Sequence, residues 1–376
     1  MSALLDTVDP DGKLEFSVVF TDRSLNHMSA KFQKVMLDIN EGLKEVYNAD
    51  GVAIVPGGGT YAMEAVARQF AAGQPCVIVR NGWFSFRWTQ ILDAGGFGGE
   101  ATVMRARQTG NEAHAPFAPA PIEEVTARIR ADKPGIVFAP HVETSSGIIL
   151  PDAYITALAA AAHEVGALMV LDCIASGCAW VDMKETGVDV LISAPQKGWS
   201  STPCAGLVMM SERALARLEE TTSDSFSVDL KKWRAIMAAY EGGGHAYHAT
   251  MPTDGLTAFR DTMAETRDYG FERLRDAQWE LGTKVRAALR LRGIASVAAE
   301  GYGAPGVVVS YTDDPGVQNG SKFGALGVQI AAGVPLQVGE PEGFSTFRLG
   351  LFGLDKLIDV DATVARLEAA LDKAIG

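Results

Sequence analysis

From Gly51 to Met210, short apolar runs alternate with segments whose apolar residues recur at helical spacing. The apolar runs have four to six residues, the usual length of a strand that is buried on both faces. Strands separated by helices predict an α/β fold with a mostly parallel sheet, in which the working residues lie at the carboxyl ends of the strands. The predicted strands lie in GVAIVPGG, PCVIVRNG, ATVMRA, GIVFAP, ALMVLD, DVLISAP and GLVMMS, and helices are predicted over Thr60–Ala71, Trp83–Ala94, Ile122–Ala131 and Pro151–Val165.

The pattern changes after about Gly242. The stretch from DGLTAFRD to ALRLRG has the apolar spacing of one long helix, with a predicted break near Tyr269–Gly270. Two strand-like segments, APGVVVSYTD and STFRLGLFG, follow it, and the amphipathic DATVARLEAALDKAI predicts a further helix. We therefore predict an N-terminal arm (residues 1–20), a large domain (residues 21–268) and a small C-terminal α+β domain (residues 269–376).

Composition narrows the class of protein. Of 376 residues, 47% are hydrophobic and 21% are charged, as in ordinary soluble globular proteins. The net charge of −13 argues against nucleic acid or an acidic membrane surface as a partner, and no apolar run has the length of a membrane span. The N-terminus lacks the pattern of a signal peptide, and the four cysteines form no pair of CxxC motifs. We expect a cytoplasmic enzyme without a metal centre.

A glycine-rich turn closes the first predicted strand. Gly57, Gly58 and Gly59 precede Thr60, which begins a predicted helix. Backbone N–H groups at such a turn, together with the helix dipole, form a cradle for an anion such as phosphate. The turn has neither the GK[ST] ending of a P-loop nor the spacing of a dinucleotide-binding fingerprint, and a plain strand–helix turn is the alternative.

Aromatic and acidic residues stand at other predicted strand ends. Trp83, Phe84 and Phe86 follow the second strand, where a ring can stack on a planar ligand or simply pack the helix. Asp172 ends the run ALMVLD, where a buried carboxylate needs a partner. That partner is either a cationic nitrogen of a bound heterocycle or the donors of a helix cap or loop.

Lys197 lies between the last two strand-like runs. A desolvated lysine has a lowered pKa and can form a Schiff base with an aldehyde. A phosphate cradle, a stacking aromatic, a carboxylate and this lysine together describe a site for pyridoxal 5′-phosphate (PLP), in which the carboxylate strengthens the cofactor as an electron sink. The four features follow one another in that order, with Lys197 placed 25 residues after Asp172.

With these residues the chain resembles the class V aminotransferases of PLP fold type I, and within them the alanine–glyoxylate and serine–pyruvate branch. The matching segments, from about Asn26 to Leu354, are PGGGTYAMEAV, NGWFSFRW, HVETSSGI, LDCIASG, GVDVLISAPQKG, YHATMP and FRLGLFG. The resemblance implies a large domain with a mostly parallel seven-stranded sheet between helices, and a small C-terminal domain. It also implies a homodimer with active sites at the interface.

The resemblance also implies roles for individual residues. Lys197 would hold the cofactor as an internal aldimine, Asp172 would pair with the pyridine nitrogen, and Arg348 would bind the substrate carboxylate. The other implied cofactor contacts are Gly58, Gly59, Thr60 and Gln196 for the phosphate, Phe84 and Ile174 for the two ring faces, Thr144 near the phenolic oxygen, and Tyr247 and Thr250 for the phosphate bound to the partner subunit.

By the same resemblance, the chain would be an aminotransferase that moves an amino group from a small amino acid to a 2-oxo acid such as pyruvate or glyoxylate. Lys197 would also move the proton between substrate and cofactor. One departure concerns the substrates: the family's PGP segment, whose backbone lines the substrate side of the pocket, is replaced by LEFSVVFTDRSLNHMSAKF. The departure leaves the reaction class unchanged and the amino donor and acceptor open.

Three other functions occur on the same fold, and the same residues bear on each of them. A PLP-dependent lyase that performs β-elimination uses the same groups and stays open. A cysteine desulfurase is disfavoured, because Gln196 stands where such enzymes have a histidine and the last cysteine is Cys204. A non-catalytic binding domain is disfavoured because Lys197 and Asp172 are both present. His141 is predicted to be structural, since a single histidine at a strand end is more often hydrogen-bonded than catalytic.

Overall fold

The computed structural model describes residues 8–375, so residues 1–7 of the predicted N-terminal arm lie outside the described part of the chain, as does Gly376. Seven strands form one sheet: β1 (Gly51–Pro56), β2 (Cys76–Arg80), β3 (Ala101–Arg105), β4 (Ile136–Pro140), β5 (Leu168–Asp172), β6 (Val190–Ser193) and β7 (Ala205–Met210). Their order is β1-β7-β6-β5-β4-β2-β3; β7 is antiparallel to both neighbours, and the other pairs are parallel. The predicted mostly parallel seven-stranded sheet is confirmed.

Helices cover this sheet. Every residue of β2, β4, β5, β6 and β7 is buried, and since successive side chains point to opposite faces, both faces must be covered. The helices of this region are α1 (Ala30–Tyr47), α2 (Gly59–Phe70), α3 (Trp83–Gly95), α4 (Ile122–Asp132), α5 (Asp152–Glu164), α6 (Met183–Thr186), α7 (Glu212–Glu220), α8 (Leu230–Glu241) and α9 (Thr253–Tyr269). Two short hairpins pair Arg107–Gln108 with Phe117–Ala118, and Val142–Glu143 with Ile148–Ile149.

A smaller α+β region follows, as predicted. Helix α9 gives way to α10 (Phe271–Leu291) at Gly270, whose φ of 102° interrupts the helix where the break is predicted. Three antiparallel strands form a second sheet in the order β8-β10-β9: β8 (Val307–Tyr311), β9 (Ala331–Ala332) and β10 (Thr346–Gly350). The remaining helices are α11 (Pro315–Gln318), α12 (Ser321–Gly324), α13 (Leu354–Leu357) and α14 (Val360–Ala374). The division into residues 1–20, 21–268 and 269–376 stays a prediction.

The two faces of β10 serve different purposes. Phe347 and Leu349 pack with Val308 in the core that α10 and α14 cover. Because alternate residues of a strand point to opposite faces, Arg348 projects the other way. Its guanidinium carbon lies 5.7 Å from the ring centroid of Phe84, at the start of α3. The strand period therefore brings one cation of the small sheet to the carboxyl edge of the large sheet.

The states of the cysteines and the character of the helices in the described part of the chain can be compared with what the composition predicts. All four cysteines are free and buried. Within residues 8–375, no helix combines the length and the apolar character that crossing a bilayer requires.

Candidate active site

The glycine turn between β1 and α2 is shaped by close packing on one side and space on the other. A Cβ at Gly57, whose φ is 120°, would lie 2.7 Å from the ring of Tyr61. A Cβ at Gly59 would overlap Cδ1 of Ile174, whereas a Cβ at Gly58 would meet nothing within 4 Å. No side chain of the described residues caps the start of α2. The turn thus leaves helix N–H groups next to open space, as an anion cradle requires.

Asp172 is a buried carboxylate at the carboxyl end of β5. Its Oδ1 accepts a hydrogen bond from the backbone N–H of Ile174 at 2.9 Å, and within residues 8–375 no Lys, Arg or His lies within ion-pair distance. Burial raises the pKa of Asp172 to about 7, and the Glu143 carboxylate adds to the rise. A cationic group brought next to Asp172 would restore its ionised form.

Lys197 stands in the loop between β6 and β7. Burial lowers the pKa of its amine, and the nearby guanidinium groups of Arg348 and Arg87 lower it further. Its Nζ lies 5.3 Å from the ring centroid of Phe352, and no carboxylate of the described chain pairs with it. A half-buried amine with a lowered pKa and no counter-charge is a candidate nucleophile.

The lysine loop is fixed by its neighbours. A Cβ at Gly198 would overlap the carbonyl oxygen of Gly177, so the two backbones touch directly. Ser200 has a φ of 56°, and its Oγ accepts a hydrogen bond from Leu354 N at 2.7 Å. This bond joins the lysine loop to the small C-terminal region.

Glu143, which carries no role in the sequence-based predictions, holds the start of α3. Its carboxylate is fully buried and accepts hydrogen bonds from Phe84 N, from N and Oγ of Ser85, and from N and Oγ of Ser145, at 2.7–3.1 Å. A carboxylate at a helix N-terminus is favoured by the helix dipole. The same bonds fix the backbone that carries the Phe84 ring.

Arg348 reaches the site from the small sheet. Its Nε donates to the carbonyl of Ala332 at 2.8 Å, and it pairs with no carboxylate of the described chain. Burial lowers the pKa of Arg348, and Glu143 partly offsets that effect. A half-buried guanidinium with free N–H groups can bind a carboxylate through two parallel hydrogen bonds.

Four other residues with predicted cofactor contacts differ in their burial and in their hydrogen bonds. Thr144 is the one partly exposed residue among residues 141–150. Gln196 adjoins Lys197, and its Oε1 is buried without a hydrogen-bond partner in the described chain. Tyr247 and Thr250 are exposed and hydrogen-bond to each other at 3.1 Å, with no hydrogen bond to the groups described above. Within residues 8–375, these last two residues are therefore not joined to the site by a hydrogen bond.

His141 lies beneath this edge of the sheet. It is buried, its Nδ1 lies 2.7 Å from Ser176 Oγ, and burial lowers its pKa to about 4. A neutral, hydrogen-bonded ring of this kind is consistent with the predicted structural role.

Comparisons with known proteins place the chain in a family. The model described as Aminotransferase class-V matches residues 15–302. The soluble hydrogenase small subunit of Synechococcus sp. is 27% identical over 352 residues, which cover 92% of this chain and 87% of that protein. Alanine–glyoxylate aminotransferase 1 of Saccharomyces cerevisiae is 24% identical over 334 residues, which cover 84% of each. The crystal structure of alanine–glyoxylate aminotransferase from Nostoc sp. matches with a TM-score of 0.77 at 22% identity over 94% of this chain and 89% of that chain, which shows the fold.

Proposed function

The chain belongs to the class V aminotransferase family and is a PLP-dependent transaminase, and we propose that it moves an amino group from a small amino acid to a 2-oxo acid such as pyruvate or glyoxylate. The support for these substrates is the half-buried Arg348, which can bind the carboxylate that both kinds of molecule carry. The names of the alanine–glyoxylate relatives point the same way.

The residues at this edge of the sheet suit PLP. The uncapped start of α2 and the space above Gly58 suit a phosphate, and the Phe84 ring suits an aromatic face. Within residues 8–375 Asp172 has no cationic partner, and a protonated pyridine nitrogen would supply one. When bound, the cofactor supplies an electron sink for the bonds broken at the amino acid's Cα.

In this proposal the residues of the chain divide the work. Lys197 would hold the cofactor and, once free as an amine, would accept the proton that leaves the substrate's Cα. Its lowered pKa favours the neutral amine that accepts that proton. Asp172 keeps the ring nitrogen protonated, and Arg348 orients the substrate by its carboxylate.

We further propose that the active enzyme is a homodimer. Tyr247 and Thr250 are exposed and make no hydrogen bond to their own chain's site, which supports a role at the phosphate bound to the partner subunit. The implied contacts of Ile174, Thr144 and Gln196 with the cofactor belong to the same proposal.

A reducing compartment such as the cytoplasm fits the state of the thiols. All four cysteines are buried and free, and buried free thiols are usual where disulfides do not form.

The observation that carries this function is that Lys197 and Asp172, each at least half-buried, both lack an ion-pair partner within residues 8–375. We expect the purified protein with PLP to absorb in the visible, and L-alanine with glyoxylate to give pyruvate and glycine in equal amounts. Lys197→Ala should abolish conversion of the bound cofactor to its amine form, whereas Lys34→Ala, on the exposed face of α1, should not. Ammonia release that needs no 2-oxo acid would support the lyase instead, and a protein unchanged by PLP would refute both.

A further inference from the structure

Arg87 lies where two elements of the site meet. It follows Phe84 by three residues on α3, so the two side chains share one helical face. Its Nη1 donates to Thr60 Oγ1 at 3.1 Å, and its Cζ lies 4.6 Å from the centroid of the Phe84 ring. The guanidinium thus bridges α3 and the uncapped start of α2.

The charges around Arg87 favour an anion. It pairs with no carboxylate within residues 8–375. The Arg87 guanidinium lies close enough to the amine of Lys197 to lower the pKa of that amine, as the Arg348 guanidinium does. Of the two nearby acids, Glu143 is engaged by five hydrogen bonds from other groups, and Asp172 is held by a backbone N–H. Three cations and a helix N-terminus therefore face one another with little compensating negative charge.

We propose that Arg87 binds the phosphate of PLP together with Thr60 and the N-terminus of α2. This inference rests on the cofactor site proposed above. It adds Arg87 to that site, a residue to which the family resemblance assigns no role. Two anions are candidates for binding to Arg87, the cofactor phosphate and the substrate carboxylate, and the position of Arg87 favours the phosphate. Arg87 contacts the end of the site built by α2, whereas Arg348, on the small sheet, is left for the substrate carboxylate. A planar guanidinium is suited to two phosphate oxygens at once.

The experiment compares two cofactors that differ only in the phosphate. Apo-protein is titrated with PLP and with pyridoxal, and binding is followed by visible absorbance. For Arg87→Gln we expect a loss of PLP affinity on the order of 10- to 100-fold, the range for a hydrogen bond to a charged group. Pyridoxal affinity should be nearly unchanged, and inorganic phosphate should protect the wild-type site from PLP far better than the variant's site. Arg87→Lys should recover part of the loss.

Controls separate this role from a structural one. Arg273→Gln, an exposed arginine of α10 that stacks on Tyr269, should change neither affinity. Equal losses for PLP and pyridoxal would mean that Arg87 only supports the Phe84 ring, and unchanged affinities would mean that it binds no phosphate. Either result overturns the proposal. A wild-type protein that binds neither compound would refute the cofactor site itself, a failure distinct from that of Arg87 alone.

Discussion

The groups that line the site come from two regions, which hold them in different ways. On the large sheet, Glu143 accepts five hydrogen bonds around the start of α3, and the lysine loop packs backbone against backbone at Gly198. On the small sheet, the Arg348 side chain has one hydrogen bond, which it donates to the neighbouring strand β9, and β9 has only two residues.

The difference suggests a division between reaction type and substrate preference. Groups that act on the reacting atoms must be fixed closely, because small displacements lose much of the rate. A group that grips the substrate can be exchanged or moved without altering the chemistry. The variants below test whether the two regions are separable in this way.

Asp172→Asn should have the largest effect, because it acts on the chemistry. We expect amino-group transfer from L-alanine to slow by roughly 10²–10⁴-fold, since a neutral amide cannot hold the ring nitrogen protonated. Rapid mixing of the PLP-loaded protein with L-alanine would measure this rate. Asp93→Asn, on an exposed face of α3, is the matched control. A variant with the wild-type rate would remove Asp172 from the mechanism.

The same variant tests the charge state of the cofactor-free protein. Burial raises the pKa of Asp172 from 3.8 to about 7, so the folded state keeps a proton that the unfolded state has lost. Its contribution to stability is therefore full below pH 3.8 and declines as the pH rises to about 7. Urea unfolding of the apo-protein across this range should show a shallower decline for Asp172→Asn. Identical slopes would contradict the raised pKa.

Arg348→Gln should have an intermediate effect that is confined to the substrate. We expect KM for the amino acid to rise roughly 10- to 100-fold, the range for losing hydrogen bonds to a charged group, while the affinity for PLP stays unchanged. Steady-state kinetics and cofactor titration together measure the split. Arg348→Lys keeps the charge without the planar fork and should fall between. An equal loss of PLP affinity would show that the two regions are not separable.

Ser200→Ala should have the smallest effect, because it weakens only the link between the regions. Losing the bond that Ser200 Oγ accepts from Leu354 N should lower the free energy of unfolding by about 0.5–1.5 kcal/mol. Ser201→Ala is the matched control, since Ser201 Oγ is buried without a hydrogen-bond partner in the described chain. Denaturant unfolding measures both, and equal losses would contradict a role for the Ser200 bond.

The apolar pattern predicts the large sheet well because its strands are buried on both faces and end at Gly, Pro or polar residues. Predicted helix bounds lie within one or two residues of the structure: Thr60–Ala71 against Gly59–Phe70, for example. The two-residue strand β9 is too short to show a period of its own. Its place beside β10 depends on tertiary pairing.

The residues of the site likewise fall into those that the local sequence predicts and those that depend on tertiary contacts. Lys197 and Asp172 can be singled out because charged residues at the ends of buried runs need a reason. Glu143 and Arg87 cannot, because their partners are remote: Ser85 is 58 residues from Glu143, and Thr60 is 27 residues from Arg87. The only local sign of Glu143 is a single acid within the hydroxyl-rich segment HVETSSG.

The close packing of Gly59 against Ile174 means that these two positions, far apart in the sequence, constrain each other in evolution. Any larger residue at position 59 would compete with the Ile174 side chain for the same volume. A lineage could therefore enlarge the residue at position 59 only if the side chain at position 174 became smaller, and under the proposed role of Ile174 that change would uncover one face of the cofactor's ring. Selection on this enzyme should retain both residues or replace them jointly.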